Sequence, residues 1–162
     1  MGDELRGRIR HRQLQDLHDH WLSLWRGSLL PLRAALDPLA MPRDLLGNLG
    51  ILDVERSPDL RFRYRLYGTN LVDPTGLDRT GRYVDEPGMS NVPDLILPAL
   101  VRVARTGEPE LLAGDYPREQ LRYAAFEVLL LPMADNGQTV SHILFGLMRD
   151  RRPGTAGGFG IF

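Results

Sequence analysis

The stretch from Phe126 to Met133 is apolar on both of its faces. Read as a strand, it sets Phe126, Val128 and Leu130 on one side and Leu129, Leu131 and Met133 on the other, with Glu127 as its only charge. The segment 139–148 repeats the pattern, with Ile143, Phe145 and Leu147 opposed to Leu144 and Met148. Strands of this kind belong to a sheet covered on both faces. Any architecture that leaves one face of these strands in water is therefore excluded.

The rest of the chain can be sorted by what it contributes to such a sheet. Ile51–Glu55 reads as a short strand and Ser57-Pro58-Asp59 as a turn. Residues 61–67 then alternate, placing Phe62, Tyr64 and Leu66 on one face and Arg61, Arg63, Arg65 and Tyr67 on the other. The two segments form an antiparallel hairpin, and Asp53 and Glu55 of the first strand are the expected partners of the arginine ladder. Later strands are expected over 109–116, 122–133 and 139–148, with Asp135-Asn136-Gly137 as a hairpin turn.

Two amphipathic helices accompany them. Residues 10–26 carry Leu14, Leu17, Trp21, Leu24 and Trp25 at spacings of three and four, and Gly27 ends the pattern. Two tryptophans on one stripe are too much apolar surface to leave wet. This helix is the candidate cover for the outer face of the sheet, in cis or from a second chain, and Leu17, Trp21, Leu24 and Trp25 are its candidate interface residues. Residues 92–106 form the second helix, with Val92, Ile96, Ala99, Leu100 and Val103 as its stripe, Asn91 as a cap, a kink expected at Pro98 and Gly107 as the stop. Single helical turns are expected near Pro38 and over 42–46.

This order describes an α+β domain with a five-stranded antiparallel sheet, helices on one face and an N-terminal amphipathic helix. The expected divisions are an N-terminal helix (1–27), a central domain (28–150) and a glycine-rich tail (151–162). The apolar end of that tail, Phe159-Gly160-Ile161-Phe162, reads as a frayed terminus.

Composition removes several chemistries. The 162-residue chain contains no cysteine, so disulfides, thiolate metal sites and cysteine nucleophiles are excluded. All 20 basic residues are arginine, which excludes Schiff-base and P-loop lysines. A net charge of -1 gives no reason to expect a nucleic-acid or membrane partner. No apolar run approaches the roughly 20 residues of a membrane span, and the polar N-terminus does not read as a signal peptide. The expectation is a cytoplasmic protein.

Several segments taken in order carry a resemblance. Leu30-Pro31-Leu32-Arg33, Asp37-Pro38, Leu45-Leu46-Gly47-Asn48-Leu49, Phe62 to Thr69, Asp78-Arg79-Thr80-Gly81-Arg82 and Leu130-Leu131-Pro132-Met133 resemble a PAS-like family of mostly uncharacterised alphaproteobacterial proteins. The resemblance covers roughly residues 20–148. It implies a sensory or regulatory module with a hollow between sheet and helices, acting through homodimerisation or a signalling partner, and it names no ligand.

Among known PAS ligands, a cysteinyl flavin or thioester-linked chromophore needs a thiol that this chain lacks. Haem on the second helix would need an axial histidine, and 92–107 contains none. The cofactor is therefore left unknown. The candidate pocket for a small molecule is Tyr64, Leu66, Ile96 and Leu100, with Arg82, Tyr83 and Arg102 at its rim to hold an acidic group and His142 from the last strand. A buried phenol such as Tyr64 needs a hydrogen-bond partner, which a ligand could supply. The alternatives are a ligand-free interaction adaptor and a small α+β enzyme. The enzyme would need a convergent acid–base pair, and no such motif is present; the expectation is a non-enzyme.

Overall fold

The computed structural model describes residues 2–72, 76–87, 94–119 and 121–154. Its centre is one antiparallel sheet built from β1 (Leu49–Glu55), β2 (Arg61–Tyr67), β3 (Glu110–Asp115), β4 (Tyr123–Met133) and β5 (His142–Arg151), in the order β2-β1-β5-β4-β3. All five expected strands are present, and β2 has the expected bounds. The central pair is longest, with β4 running against β5 from Tyr123 opposite Arg151 to Met133 opposite His142.

Strict alternation fails in β2. Leu52 pairs with Tyr64 but Ile51 pairs with Leu66, so Arg65 is an extra residue in the ladder, a β-bulge. Beyond it the faces exchange. Leu66, expected inside, is 49% exposed, while Tyr67, expected outside, packs against the inner core. The outer edge of β2 is covered by the segment 81–84, which gives it three backbone hydrogen bonds: Gly81 N–H to Tyr64 O, Tyr64 N–H to Arg82 O and Val84 N–H to Phe62 O.

The inner face is covered by α4 (Ile96–Thr106), whose Ala99, Leu100, Val103 and Ala104 are buried against Leu52, Phe62, Val128, Leu130 and Ile143. The helix starts at Ile96, and the Asn91 cap and Val92 expected for it lie outside the described residues. Pro98 consequently falls in the first turn, where backbone N–H groups have no intrahelical partner, so the interior kink expected there has no cause. Gly107 ends the helix in the left-handed conformation (φ 69°), donating its N–H to Val103 O at 2.9 Å.

The outer face is covered by the chain's own N-terminus. The helix expected over 10–26 is α2 (Arg12–Ser23); a further helix, α1 (Gly2–Arg8), precedes it, and α3 (Arg43–Leu46) lies beside them. Leu5, Ile9, Leu14, Leu17 and Trp21 join Leu45, Leu49, Ile51, Leu129, Leu131, Met133 and Leu144 in a second core. Contact is closest at Gly146 of β5: a Cβ there would stand 2.6 Å from Leu14 Cδ2 and 2.8 Å from Leu17 Cδ2. Trp21 is 2% exposed, and its indole N–H donates to Pro132 O at 2.9 Å. Leu17 and Trp21 are thus buried within the chain, the in-cis form of the expected cover. Leu24 and Trp25 are half-buried beside the same core.

The hairpin turn expected at Asp135-Asn136-Gly137 joins β4 to β5 within a connection that spans residues 134–141. Gly137 takes φ 78° and Asn136 Oδ1 accepts the N–H groups of Gln138 and Thr139. The segment before α3 docks on it, with Leu30 N–H donating to Gly137 O and Ala134 N–H to Pro31 O. The apolar tail, Phe159 to Phe162, lies outside the described residues.

Candidate functional site

On the inner face the strands bring a group of aromatic rings together. Tyr64 is 5% exposed and meets Tyr67 edge-on at 5.3 Å between centroids and Phe145 at 6.1 Å. The bulge at Arg65 is what puts Tyr64 and Tyr67 on one face. Phe145 finds room for its ring because Gly50, its partner across the ladder, has no side chain. Further along the same face, Tyr116 meets Phe126 at 5.2 Å.

Two arginines supply the polar groups. Arg79, in the connection after β2, is 4% exposed, and its guanidinium lies beside the Tyr64 hydroxyl. Burial pushes the Tyr64 phenol up to about 12 although Arg79 works against the rise. Tyr64 therefore keeps its proton at any physiological pH. Arg149 on β5 does the same beside Tyr116, which burial also raises, and it donates to Leu71 O at 3.3 Å. Tyr67 donates its hydroxyl hydrogen to that same carbonyl at 3.0 Å.

The expected pocket residues divide into three groups. Tyr64 and Leu100 are buried in the inner core and Ile96 packs against it. Leu66 faces the other way for the reason given above. The rim residues are engaged in ion pairs at the surface: Arg82 with Glu86 at 2.9 Å and Arg102 with Glu110 at 2.7 Å. Tyr83 donates to Glu55 Oε1 at 2.8 Å, and its ring lies 3.7 Å under the Arg61 guanidinium.

His142 belongs to the outer face, the face of Leu144, and not to the pocket. Its ring bridges Asp53 (2.9 Å) and Asp135 (3.1 Å), and Arg65 reaches the same Asp53 at 2.8 Å. Arg63 lies 3.3 Å from Glu55, so two rungs of the arginine ladder pair across the hairpin as expected; Arg61 turns to Asp85 instead at 2.8 Å.

Arg79 was missed at the sequence level. It sits in Asp78-Arg79-Thr80-Gly81, where Asp78 Oδ1 accepts from the Thr80 N–H and hydroxyl, and turn chemistry alone does not say which way its arginine points.

At the opposite end of the sheet a groove of about 740 Å³ runs between the end of α4 and the β4–β5 connection. Trp25, Leu30, Leu60 and Val140 form its apolar part. Arg56 crosses it, donating to Val140 O at 2.6 Å and to Ala104 O at 3.1 Å.

A five-stranded antiparallel sheet in the order 2-1-5-4-3, with a helical crossing over an inner face that holds aromatic and arginine side chains, is the architecture of a PAS-like α+β domain. The chain belongs to the PAS domain family, whose sequence profile matches residues 9–149. No curated protein matches the sequence. Among the described residues no helix is long and apolar enough to cross a membrane, and no cluster of three or more histidine, aspartate or glutamate side chains has the arrangement of a metal site.

Proposed function

We propose that this PAS domain is a sensory module that binds a small anionic molecule against the inner face of its sheet, with the acidic end held by Arg79 and Tyr64. The observation that carries the reading is the pairing of a buried guanidinium with a buried phenol inside an apolar layer. Arginine offers donors only, and a phenol that accepts from arginine keeps its own O–H to donate onward. A carboxylate or a similar oxyanion complements both, and charge-assisted hydrogen bonds of this kind are the strong ones. Tyr67, Phe145, Ile96 and Leu100 provide apolar surface for the body of the molecule. Arg82, Tyr83 and Arg102 are held by Glu86, Glu55 and Glu110, and each would have to leave its present partner to take part. The function is one of binding, with the signal passed on by contact with a partner protein or a second copy.

Native mass spectrometry of the purified chain tests this, together with thermal-shift measurements against a panel of aliphatic and aromatic monocarboxylates. The expected result is a bound small molecule, or a rise in melting temperature with at least one carboxylate, that is lost in Arg79→Met and weakened in Tyr64→Phe. A wild-type chain that carries nothing and responds to no carboxylate, or a response that survives Arg79→Met, overturns the reading.

A further inference from the structure

Glu127 is the only charge in the doubly apolar strand β4, and it is 1% exposed on the outer face. Its carboxylate accepts the backbone N–H of Arg10 at 2.9 Å, the backbone N–H of His11 at 3.0 Å and the His11 ring at Nδ1, 2.7 Å away. The three donors come from the turn between α1 and α2, so one side chain of the sheet holds the joint of the N-terminal strap. The other ring nitrogen of His11, Nε2, lies 2.8 Å from Asp150 Oδ1 on β5, and Arg10 reaches the second oxygen of Asp150 at 3.0 Å.

A neutral imidazole has one N–H and one lone pair, so it can donate to only one of two carboxylates. Here both ring nitrogens face carboxylate oxygens at hydrogen-bond distance, and both carboxylates accept from other donors as well. Only the imidazolium satisfies this geometry. On losing a proton, the ring would turn a lone pair toward an oxyanion. From these contacts we propose that His11 is a protonation-controlled latch: the α1–α2 strap is fastened to the outer face of the sheet while the His11 ring is charged, and loosens when the ring is neutral.

The charged groups that face the ring are Glu127 from β4, Asp150 from β5 and Arg10 from its own turn, and Asp115 at the end of β3 acts on Arg10. Burial works to raise the Glu127 carboxyl, but the Arg10 and His11 N–H groups outweigh it and hold the carboxyl below the usual range. Asp150 is likewise held low, burial being outweighed by Arg10 and His11. The carboxylates therefore stay ionised on the acidic side of neutrality, and both keep calling for a donor from the ring between them. What loosens is the cover of Ile51, Leu129, Leu131 and Leu144, the outer apolar face.

His11 differs in its surroundings from His18, one of the two histidines of α2. His18 is 1% exposed, its ring nitrogens have no hydrogen-bond partner, and its Nδ1 lies 3.5 Å from Asp19 Oδ1. His18 thus faces Asp19 of its own helix and no carboxylate of the sheet, so it does not tie the strap down as His11 does.

Hydrogen exchange over residues 2–23 of the full chain tests the latch, with rates corrected for the intrinsic pH dependence. Between about pH 5.5 and about pH 8.5, protection in the wild type is expected to fall roughly tenfold, the scale of one charge-assisted hydrogen bond. His11→Gln is expected to show low protection with no such fall, and His142→Gln to keep the fall. A wild type with constant protection, or the same fall in His11→Gln, overturns the proposal. A second readout needs no variant: ring ¹⁵N shifts of wild-type His11 at about pH 6 are expected to report both nitrogens protonated, and a bare nitrogen there also overturns it.

Discussion

Replacing Trp21 with alanine distinguishes a strap that serves its own sheet from a helix that waits for a second chain. Trp21 is 2% exposed, lies between α2 and the sheet, meets Trp25 edge-on at 5.5 Å and donates to the Pro132 carbonyl. Truncating a buried tryptophan costs about 3–5 kcal/mol, and the orphaned carbonyl of Pro132 adds about 1–3 kcal/mol. A loss of about 4 kcal/mol or more is expected. At roughly 2–4 °C per kcal/mol for a chain of this length, the melting temperature should fall by at least about 8 °C. Trp21→Phe keeps most of the ring and loses the N–H, and should fall between. Urea denaturation measured at two protein concentrations about tenfold apart provides the assay. If Trp21 serves its own chain, the loss is the same at both. A loss below about 1 kcal/mol, or one that depends on protein concentration, would refute the reasoning, because the second outcome is the mark of a residue that joins two copies.

Three further perturbations test other parts of the structure. Gly146→Leu drives a side chain into Leu14 and Leu17, and overpacking of this kind should lower stability by about 1–3 kcal/mol in urea denaturation while loosening α2 in hydrogen exchange. Leu66→Glu should change stability by no more than about 0.5 kcal/mol because Leu66 faces solvent after the bulge, whereas Phe62→Glu should leave no cooperative thermal transition. In acid, the depressed carboxyls of Asp19 (beside Arg6), Glu127 and Asp150 contribute stability that is present above the ordinary carboxylate range and lost as pH falls through their lowered values; urea midpoints should therefore drop below about pH 4, with a shallower drop in Glu127→Gln.

The layers of this fold were legible because periodicity reports them directly. Two-faced apolar strands require two covered faces, and the stripe of Leu14, Leu17 and Trp21 supplies one cover. Periodicity is silent where one residue changes the count. Arg65 breaks the alternation of β2 without a glycine or proline to mark it, so Leu66 and Tyr67 were placed on the wrong faces. His142 alternates with Leu144 and Gly146, which ties it to one face of β5 but does not say which face is the inner one. Of the candidate site, Tyr64 and Leu100 were found because they lie on regular elements. Arg79 was not, because its direction depends on how a turn folds back over the sheet. Glu127 was visible as the one charge in an apolar strand, but its partners, Arg10 and His11, lie more than a hundred residues away, in the turn that precedes α2 and ahead of the first residue of its stripe, Leu14.

The bulge at Arg65 also bears on which changes of chain length β2 would tolerate. Tyr64 is in register with Leu52, and Leu66 and Tyr67 are in register with Ile51 and Gly50. Deleting Arg65 would therefore restore an unbroken ladder and leave both tyrosines over the inner face, at the loss of the ion pair with Asp53. Deleting Arg63 instead would shift Phe62 out of register with its present partner. A single-residue deletion in β2 is thus nearly silent at one position and disruptive two positions earlier, a contrast that point substitutions at the same sites would not show.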